Sequence, residues 1–141
     1  MNSTDTNKGG WTRCNMRSTH LPAILTLMPT EVKNGIREVN KRTSAGSQSS
    51  TINTTADKLF LLSEVEVFGS TTNSAKGEGT QYDYYKAGNS KLKKQNGTTE
   101  GWWGRSPKVS ESVTFCSVSS FGNAHGYYAS VDAGVAFGFC F

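Results

Sequence analysis

The sequence predicts an α+β domain with two N-terminal helices, long loops and a mixed or antiparallel sheet, and three patterns carry that expectation. Leu21, Ile24, Leu25 and Met28 recur at i, i+3, i+4 and i+7, which is one face of an amphipathic helix. Lys58-Leu59-Phe60-Leu61-Leu62 is a short continuous apolar run, the pattern of a buried central strand. In the final run Val135, Phe137, Phe139 and Phe141 alternate with Ala136, Gly138 and Cys140. Large side chains on one face and small ones on the other predict a strand buried on both sides, with a close neighbour over the small face.

In chain order, the first helix is expected to begin near Thr12–Asn15 and to stop at Pro29. Thr30 can cap a second, shorter helix with Val32 and Ile36 inward, weakened by Gly35. Residues 37–43 read as an exposed strand, and 44–55 as a loop of Ser, Thr, Gly and Asn. After the apolar run, Ser63 and Glu66 have the spacing of a capping box over one helical turn. Residues 69–80 read as a loop, Tyr82, Tyr84 and Tyr85 open a short helix, and 87–100 is a polar, basic loop. Two strands follow, 114–119 and 124–130, joined by a turn at Phe121-Gly122-Asn123, before the terminal run.

A chain of 141 residues fits a single domain, read here as a scaffold over 1–100 and a display segment over 101–141. At 35% hydrophobic residues and a mean hydropathy of −0.50 it is polar, yet seven Phe, five Tyr and three Trp supply the buried area of a folded core. The net charge of +4 is scattered along the chain, with no dense basic stripe or reading motif, so no nucleic-acid partner is expected. The longest apolar run, Leu21 to Met28, is too short to span a bilayer and has no basic leader, so neither membrane insertion nor a targeting segment is expected. The chain fits either a whole protein made in the cytosol or the terminal piece of a longer one. Cys14, Cys116 and Cys140 lack zinc spacing, and Cys116 and Cys140 read either as buried free thiols in apolar strands or as one disulfide.

An enzyme needs a nucleophile or an acid–base pair, and the only histidines are His20 and His125. No Gly-x-Ser-x-Gly, Ser-x-x-Lys, His-Glu-x-x-His or Walker-type loop is present. Gly77-Glu78-Gly79 lacks the flanking strand and helix of a dinucleotide loop, and alternation sets Cys116 and His125 on opposite faces. No cofactor or metal is therefore expected. Calcium is not expected because the last forty residues hold only Glu111 and Asp132 as acids. Trp102-Trp103-Gly104-Arg105-Ser106-Pro107 reads as a strand anchored by Trp103 and Arg105 and ended by Pro107; the paired Trp could also stack on a sugar or cation. If Cys116 and Val118 face the core, Ser117 and Ser119 face out beside Phe121, and His125 shares a face with Tyr127 while Tyr128 takes the other. Tyr, Ser, Gly, Asn and His are residue types suited to recognition, Tyr through large contact area at small entropy cost.

Gly10-Trp11, Met16-Arg17, Leu27-Met28-Pro29, Asp57–Glu64, Glu66-Val67-Phe68-Gly69, Trp102-Trp103-x-Arg105-Ser106-Pro107, Phe115-Cys116 and Gly134–Cys140, in that order, resemble a bacterial and bacteriophage domain family known only as a domain of unknown function. More distantly they are similar to C-type-lectin-like folds, which include sulfatase-modifying enzymes. The C-terminal part resembles the variable proteins of diversity-generating retroelements, which display hypervariable residues on a C-type-lectin scaffold. The likeness is most specific over the last forty residues. Gly104 departs from the larger residue usual there, and Cys14 from a small polar one.

The resemblance implies a binding protein, not an enzyme, on a virion or bacterial surface, with a protein or glycan on a target cell as partner. Its display positions would be Gly104, Val109, Ser110, Val113, Ser117, Ser119, Phe121, His125, Tyr127, Tyr128, Ser130, Val131 and Asp132. Retroelement diversification turns Asn codons into NNY codons, which cannot encode Trp, Met, Lys, Gln or Glu, and every one of these residues passes that filter. A non-diversified binding module and a degenerate relative of the sulfatase-modifying enzymes are the alternatives. A display surface is expected to tolerate joint replacement of Val109, Ser117, Ser119, Phe121, His125, Tyr127 and Ser130.

Overall fold

The computed structural model describes residues 1–141 and is an α+β fold of short helices and four small antiparallel sheets. The expected first helix is broken into pieces: α1 (Gly10–Arg13) ends where Cys14 turns extended, and a π-helical turn (Met16–His20) then runs into α2 (Leu21–Leu27). The predicted stripe does face inward, with Leu21 buried and Ile24, Leu25 and Met28 packed against the core, and the helical segment stops before Pro29. α3 (Thr30–Gly35) brings Ile36 into the core with Val32 packed against it, but Thr30 does not cap it; Pro29 holds the cap position and offers no side-chain acceptor.

β1 (Val39–Ser44) and β2 (Ile52–Asp57) form a hairpin, so the expected loop from Ser44 shrinks to the turn between them. β1 is also less exposed than expected, because Lys41, Thr43 and Ser44 are buried against the charged cluster described below. Asp57, at the end of β2, ties the hairpin to the helices. Its carboxylate accepts from Trp11 Nε1 at 2.9 Å, Arg17 Nε at 2.6 Å and Thr55 Oγ1 at 2.6 Å.

The apolar run yields only β3 (Phe60–Leu61), which pairs with β9 (Phe137–Gly138) and is not a central strand. Beyond that pair the terminal run is not core: Val135, Phe139 and Phe141 are exposed, Phe141 by 68%. Alternation correctly places Gly138 against a neighbour, and on the large side Phe137 packs against the main core, but no second layer covers Val135, Phe139 and Phe141. At Gly138 an added Cβ would lie 3.0 Å from Cε2 of Phe60, a ring held by burial. Gly138→Val is therefore expected to cost about 1–3 kcal/mol, seen as a lowered thermal midpoint. A melt within a degree of the parent would refute the close packing.

The Ser63–Glu66 capping box forms as predicted and starts α4 (Glu64–Phe68); α5 (Asp83–Lys86) carries the tyrosines. The polar stretch after it contains an unpredicted hairpin, β4 (Lys93–Gln95) with β5 (Thr98–Glu100), exposed at every strand position but the half-buried Thr99. The main sheet is β6 (Trp102–Pro107), β7 (Thr114–Val118) and β8 (Ala124–Tyr128), in that order. Register fixes its two faces. Trp103, opposite Ser117, shares one face with Phe115 and belongs to the larger core with Trp11, Met16 and Leu21. Trp102, opposite Val118, packs on the other face with Val67 and Tyr85 of α4 and α5. Helices thus cover both faces of β6 and β7 and leave β8 at the edge. No helix is long and apolar enough to cross a membrane.

Candidate recognition surface

A buried cluster of charged side chains ties β6 of the main sheet to β1, β3 and α4. Arg105 sits in β6 with its guanidinium out of solvent and fully engaged. Nε donates to Thr43 Oγ1 at 3.1 Å, and Nη1 to the Leu61 carbonyl at 2.8 Å and to Glu66 Oε2. Nη2 donates to Glu66 Oε1 at 3.0 Å, the Glu78 carbonyl at 2.8 Å and the Arg42 carbonyl at 3.3 Å. Lys41 Nζ donates to Glu66 Oε1 and to Tyr82 Oη, both at 2.8 Å, and lies 4.0 Å from the centroid of the Phe60 ring. Burial works to raise the Glu66 carboxyl, but Arg105 and Lys41 outweigh it and hold the group below its ordinary value. Glu78 is the opposite case: burial raises its carboxyl even though Ser106 Oγ and the Ser44 N–H both donate to it.

Two further polar residues fix the loops around the sheet. Glu64 accepts from the backbone N–H groups of Asn73 and Ser74, at 2.9 and 2.8 Å, and so holds the loop after α4. Asn7, buried near the N-terminal end, donates to the carbonyls of Lys108, Glu111 and Thr114 and accepts from the Ser47 N–H at 2.7 Å. The β6–β7 loop is therefore laced from within. These residues were not singled out from sequence; Asn7 and Glu78 lie in polar stretches whose burial depends on partners far along the chain.

The expected display positions divide into four groups. Gly104 and Ser117 are not on the surface, and both expectations are corrected. Gly104 lies inside β6, where an added Cβ would come 3.0 Å from the Cys116 carbonyl oxygen and 3.1 Å from that of Leu62, leaving no room for a varied side chain. Ser117 is buried because both faces of β7 are covered, not one; its hydroxyl finds no hydrogen-bond partner in the protein. Val109, Ser110 and Val113 belong to the β6–β7 loop, with Ser110 exposed and the other two half-buried.

The hairpin group is Ser119, Phe121, His125, Tyr127 and Tyr128. Ser119 builds the turn: its Oγ accepts from the N–H groups of Phe121 and Asn123 at 3.3 and 3.2 Å, an arrangement that rests on its hydroxyl. Phe121 is 84% exposed at the tip, Tyr128 56% exposed, and His125 exposed on the opposite face from Tyr128. Tyr127 is half-buried and serves both roles, packing edge-on against Trp103 at 5.5 Å and against His125 at 5.0 Å. The last group, Ser130, Val131 and Asp132, lines a groove of about 470 Å³ with His20, Ala23, Ile24 and Leu27 of the helical segment. Leu27, 85% exposed, is its outermost apolar wall. Ser130 is tied down, its N–H and hydroxyl both donating to Asp5.

These groups do not form one continuous patch. The hairpin tip and the β6–β7 loop lie at opposite ends of a five-residue strand, roughly 17 Å apart at about 3.4 Å per residue. What the structure does bring together is His125 with Tyr127 on one face of β8, and Val131 with Asp132 in the neighbouring groove. The three cysteines are free, and Cys140 is exposed, not a buried strand residue as expected. Burial pushes the Cys14 thiol up to about 11 and raises that of Cys116 well above its ordinary value, which disfavours the thiolate at both. His125 aligns with Ser117, one residue from Cys116 in register, and lies on the other face from it.

The arrangement defines a small α+β domain whose sheet is anchored by buried charge and carries an exposed edge hairpin. The chain belongs to the family described as "Domain of unknown function (DUF6273)", which it matches over residues 1–140. Comparison with curated proteins and with solved structures found no match.

Proposed function

We propose that this domain is a recognition module of C-type-lectin-like architecture that binds a protein or glycan on a target cell surface, without covalent chemistry. We further propose that it acts from a phage virion or a bacterial surface and that a retroelement diversifies its display residues. The observation that carries the reading is the contrast within one hairpin. β7 is buried along its whole length, while β8 and its turn hold Phe121, His125 and Tyr128 out in solvent. Exposed aromatics on a rigid support supply contact area with little entropy to lose on binding. With Gly104 and Ser117 withdrawn, the exposed positions free to vary are Phe121, His125, Tyr128, Val131 and Asp132, with Ser110 on the far loop.

The test joins binding to gene context. Labelled protein is applied to a panel of bacterial cells and to immobilised surface polysaccharides, beside a triple variant in which Phe121, His125 and Tyr128 are each alanine. The triple variant is expected to keep the parent's thermal midpoint and to lose retention on whichever surface holds the parent. Equal retention of both proteins would overturn the hairpin as the contact surface. Flanking DNA is expected to hold a reverse transcriptase gene and a near-copy of the 3′ coding segment. Their absence, with these residues no more varied among isolates than Trp103, would overturn diversification.

A further inference from the structure

A pocket of about 570 Å³ opens between residues 8–13, the turn after β1 and the start of β2, and no acidic residue lines it. Its walls are stitched together by close backbone approach. A side chain at Gly10 would run into the Ser44 carbonyl, and one at Gly46 into the Asn7 carbonyl. Asn7 Oδ1 accepts the Ser47 N–H at 2.7 Å, and Ser47 is held at φ 50, a conformation that side chains rarely adopt. Gly9 has φ 85, and an added Cβ there would lie 2.8 Å from Arg13 Cδ, so the bare glycine lets the Arg13 stem lie along the backbone. The polar side chains on the walls are Lys8, Thr12, Arg13, Ser47, Asn53 and Thr54. The four ion pairs of the protein leave out both Lys8 and Arg13. The backbone N–H groups of Lys8 and Ser47 find acceptors in Thr6 and Asn7, but none of the six side chains makes a hydrogen bond inside the protein. Thr12 and Asn53 stay unbonded although half-buried. The groove beside β4 and β5 differs, since there Lys93 and Lys94 share the walls with Glu100.

We infer that this pocket binds a phosphomonoester carried on a small, non-aromatic polyol, in chemical class a sugar phosphate. Arg13 offers a planar fork that meets phosphate oxygens in pairs, and Lys8 adds a compact charge. Together they match the charge of about −1.5 to −2 that a phosphomonoester carries near neutral pH, and they exceed the single charge of a sulfate ester. The hydroxyls of Thr12, Ser47 and Thr54 and the amide of Asn53 both donate and accept, which suits the hydroxyls of a polyol. Ala45 is the only apolar residue on the walls and no aromatic is present, so a nucleobase would find nothing to stack on. The volume falls within the roughly 300–1,000 Å³ of small-molecule sites and leaves room for a carrier beside the phosphate. The pocket shares no residue with the display positions, so it is independent of the recognition surface.

The probe is glucose 6-phosphate, titrated against the labelled protein by two-dimensional NMR in about 0.15 M salt, where exposed charges more than about 8 Å apart are screened. Saturable amide shifts are expected at Gly9, Thr12, Ser47 and Asn53. Glucose, inorganic phosphate and glucose 6-sulfate are each expected to bind about tenfold more weakly or not at all, and AMP no more tightly than the sugar phosphate. Lys8→Gln and Arg13→Gln should each weaken the sugar phosphate about tenfold, the loss of one charge-assisted contact. Both side chains are exposed and unbonded, so the thermal midpoints should stay near the parent's. If Arg13→Gln unfolds the domain, Lys8→Gln decides. Joint Lys93→Gln and Lys94→Gln takes more charge off the surface and should leave the affinity unchanged, as should the alanine triple variant of Phe121, His125 and Tyr128. The absence of a saturable shift, or shifts centred outside the pocket, overturns the site. Equal weakening by the Lys93 and Lys94 changes reduces it to net charge and overturns it too. A sulfate ester or inorganic phosphate that binds as tightly, or AMP that binds more tightly, overturns the class of ligand.

Discussion

Arg105→Met is expected to destabilise the domain by about 3–5 kcal/mol, one of the two largest effects of any single substitution here. The side chain is buried and its donors reach Thr43, Arg42, Leu61, Glu66 and Glu78, which lie on four separate stretches of chain. Methionine fills much of the volume but leaves the Leu61 and Glu78 carbonyls without this donor. It also leaves Glu66 with Lys41 as its only buried cation. Those acceptors left without a donor are the main cost, and because Glu66→Gln removes the same Arg105–Glu66 ion pair, the two single changes share part of their loss. The double variant is then expected to be more stable than the sum of the two single changes allows. Urea unfolding of the four proteins measures this cycle. A single-variant loss below about 1 kcal/mol would mean that Arg105 is not the junction of the fold.

How far this cluster could be read in advance depends on how local each contact is. The capping box of Ser63 and Glu66 was legible because both halves lie within one turn, and the stripe from Leu21 to Met28 because helical spacing alone declares a face. Trp103 and Arg105 were legible as anchors by type. The second duty of Glu66, as counter-ion to Arg105 and Lys41, was not legible, since those partners lie 39 and 25 residues away. Asn7 is the extreme case, bonding across more than a hundred residues from a stretch that reads as polar surface. In the candidate site, alternation assigned the faces of His125, Tyr127 and Tyr128 correctly. It failed at Ser117 because period two says which residues share a face and nothing about whether that face is covered. The same limit exposed Phe139 and Phe141, whose pattern promised a second layer that the fold does not supply.

The other large effect separates scaffold from surface. Trp103→Ala is expected to cost about 3–5 kcal/mol, as truncation of a fully buried aromatic does. Its ring belongs to the main core with Phe115 and Met16 and carries Tyr127 edge-on at 5.5 Å, so truncation removes contacts on several sides at once. Joint replacement of Phe121, His125, Tyr128, Val131 and Asp132 by other polar or aromatic types is expected to cost far less. Each is exposed, and exposed changes move stability by about 0.5 kcal/mol or less. The broader set expected from sequence, with Ser117, Ser119, Tyr127 and Ser130, behaves differently. Ser117 is enclosed, Ser119 holds the turn, Tyr127 packs on Trp103, and Ser130 is bound by Asp5. Denaturant unfolding of the two multiple variants beside Trp103→Ala should therefore order them: exposed set near the parent, broader set lower, truncation comparable or lower still. Phe137→Ala, at a half-buried position, should fall between the exposed set and Trp103→Ala. If the exposed set loses as much stability as Trp103→Ala, those side chains belong to the folding core and cannot serve as a surface free to vary.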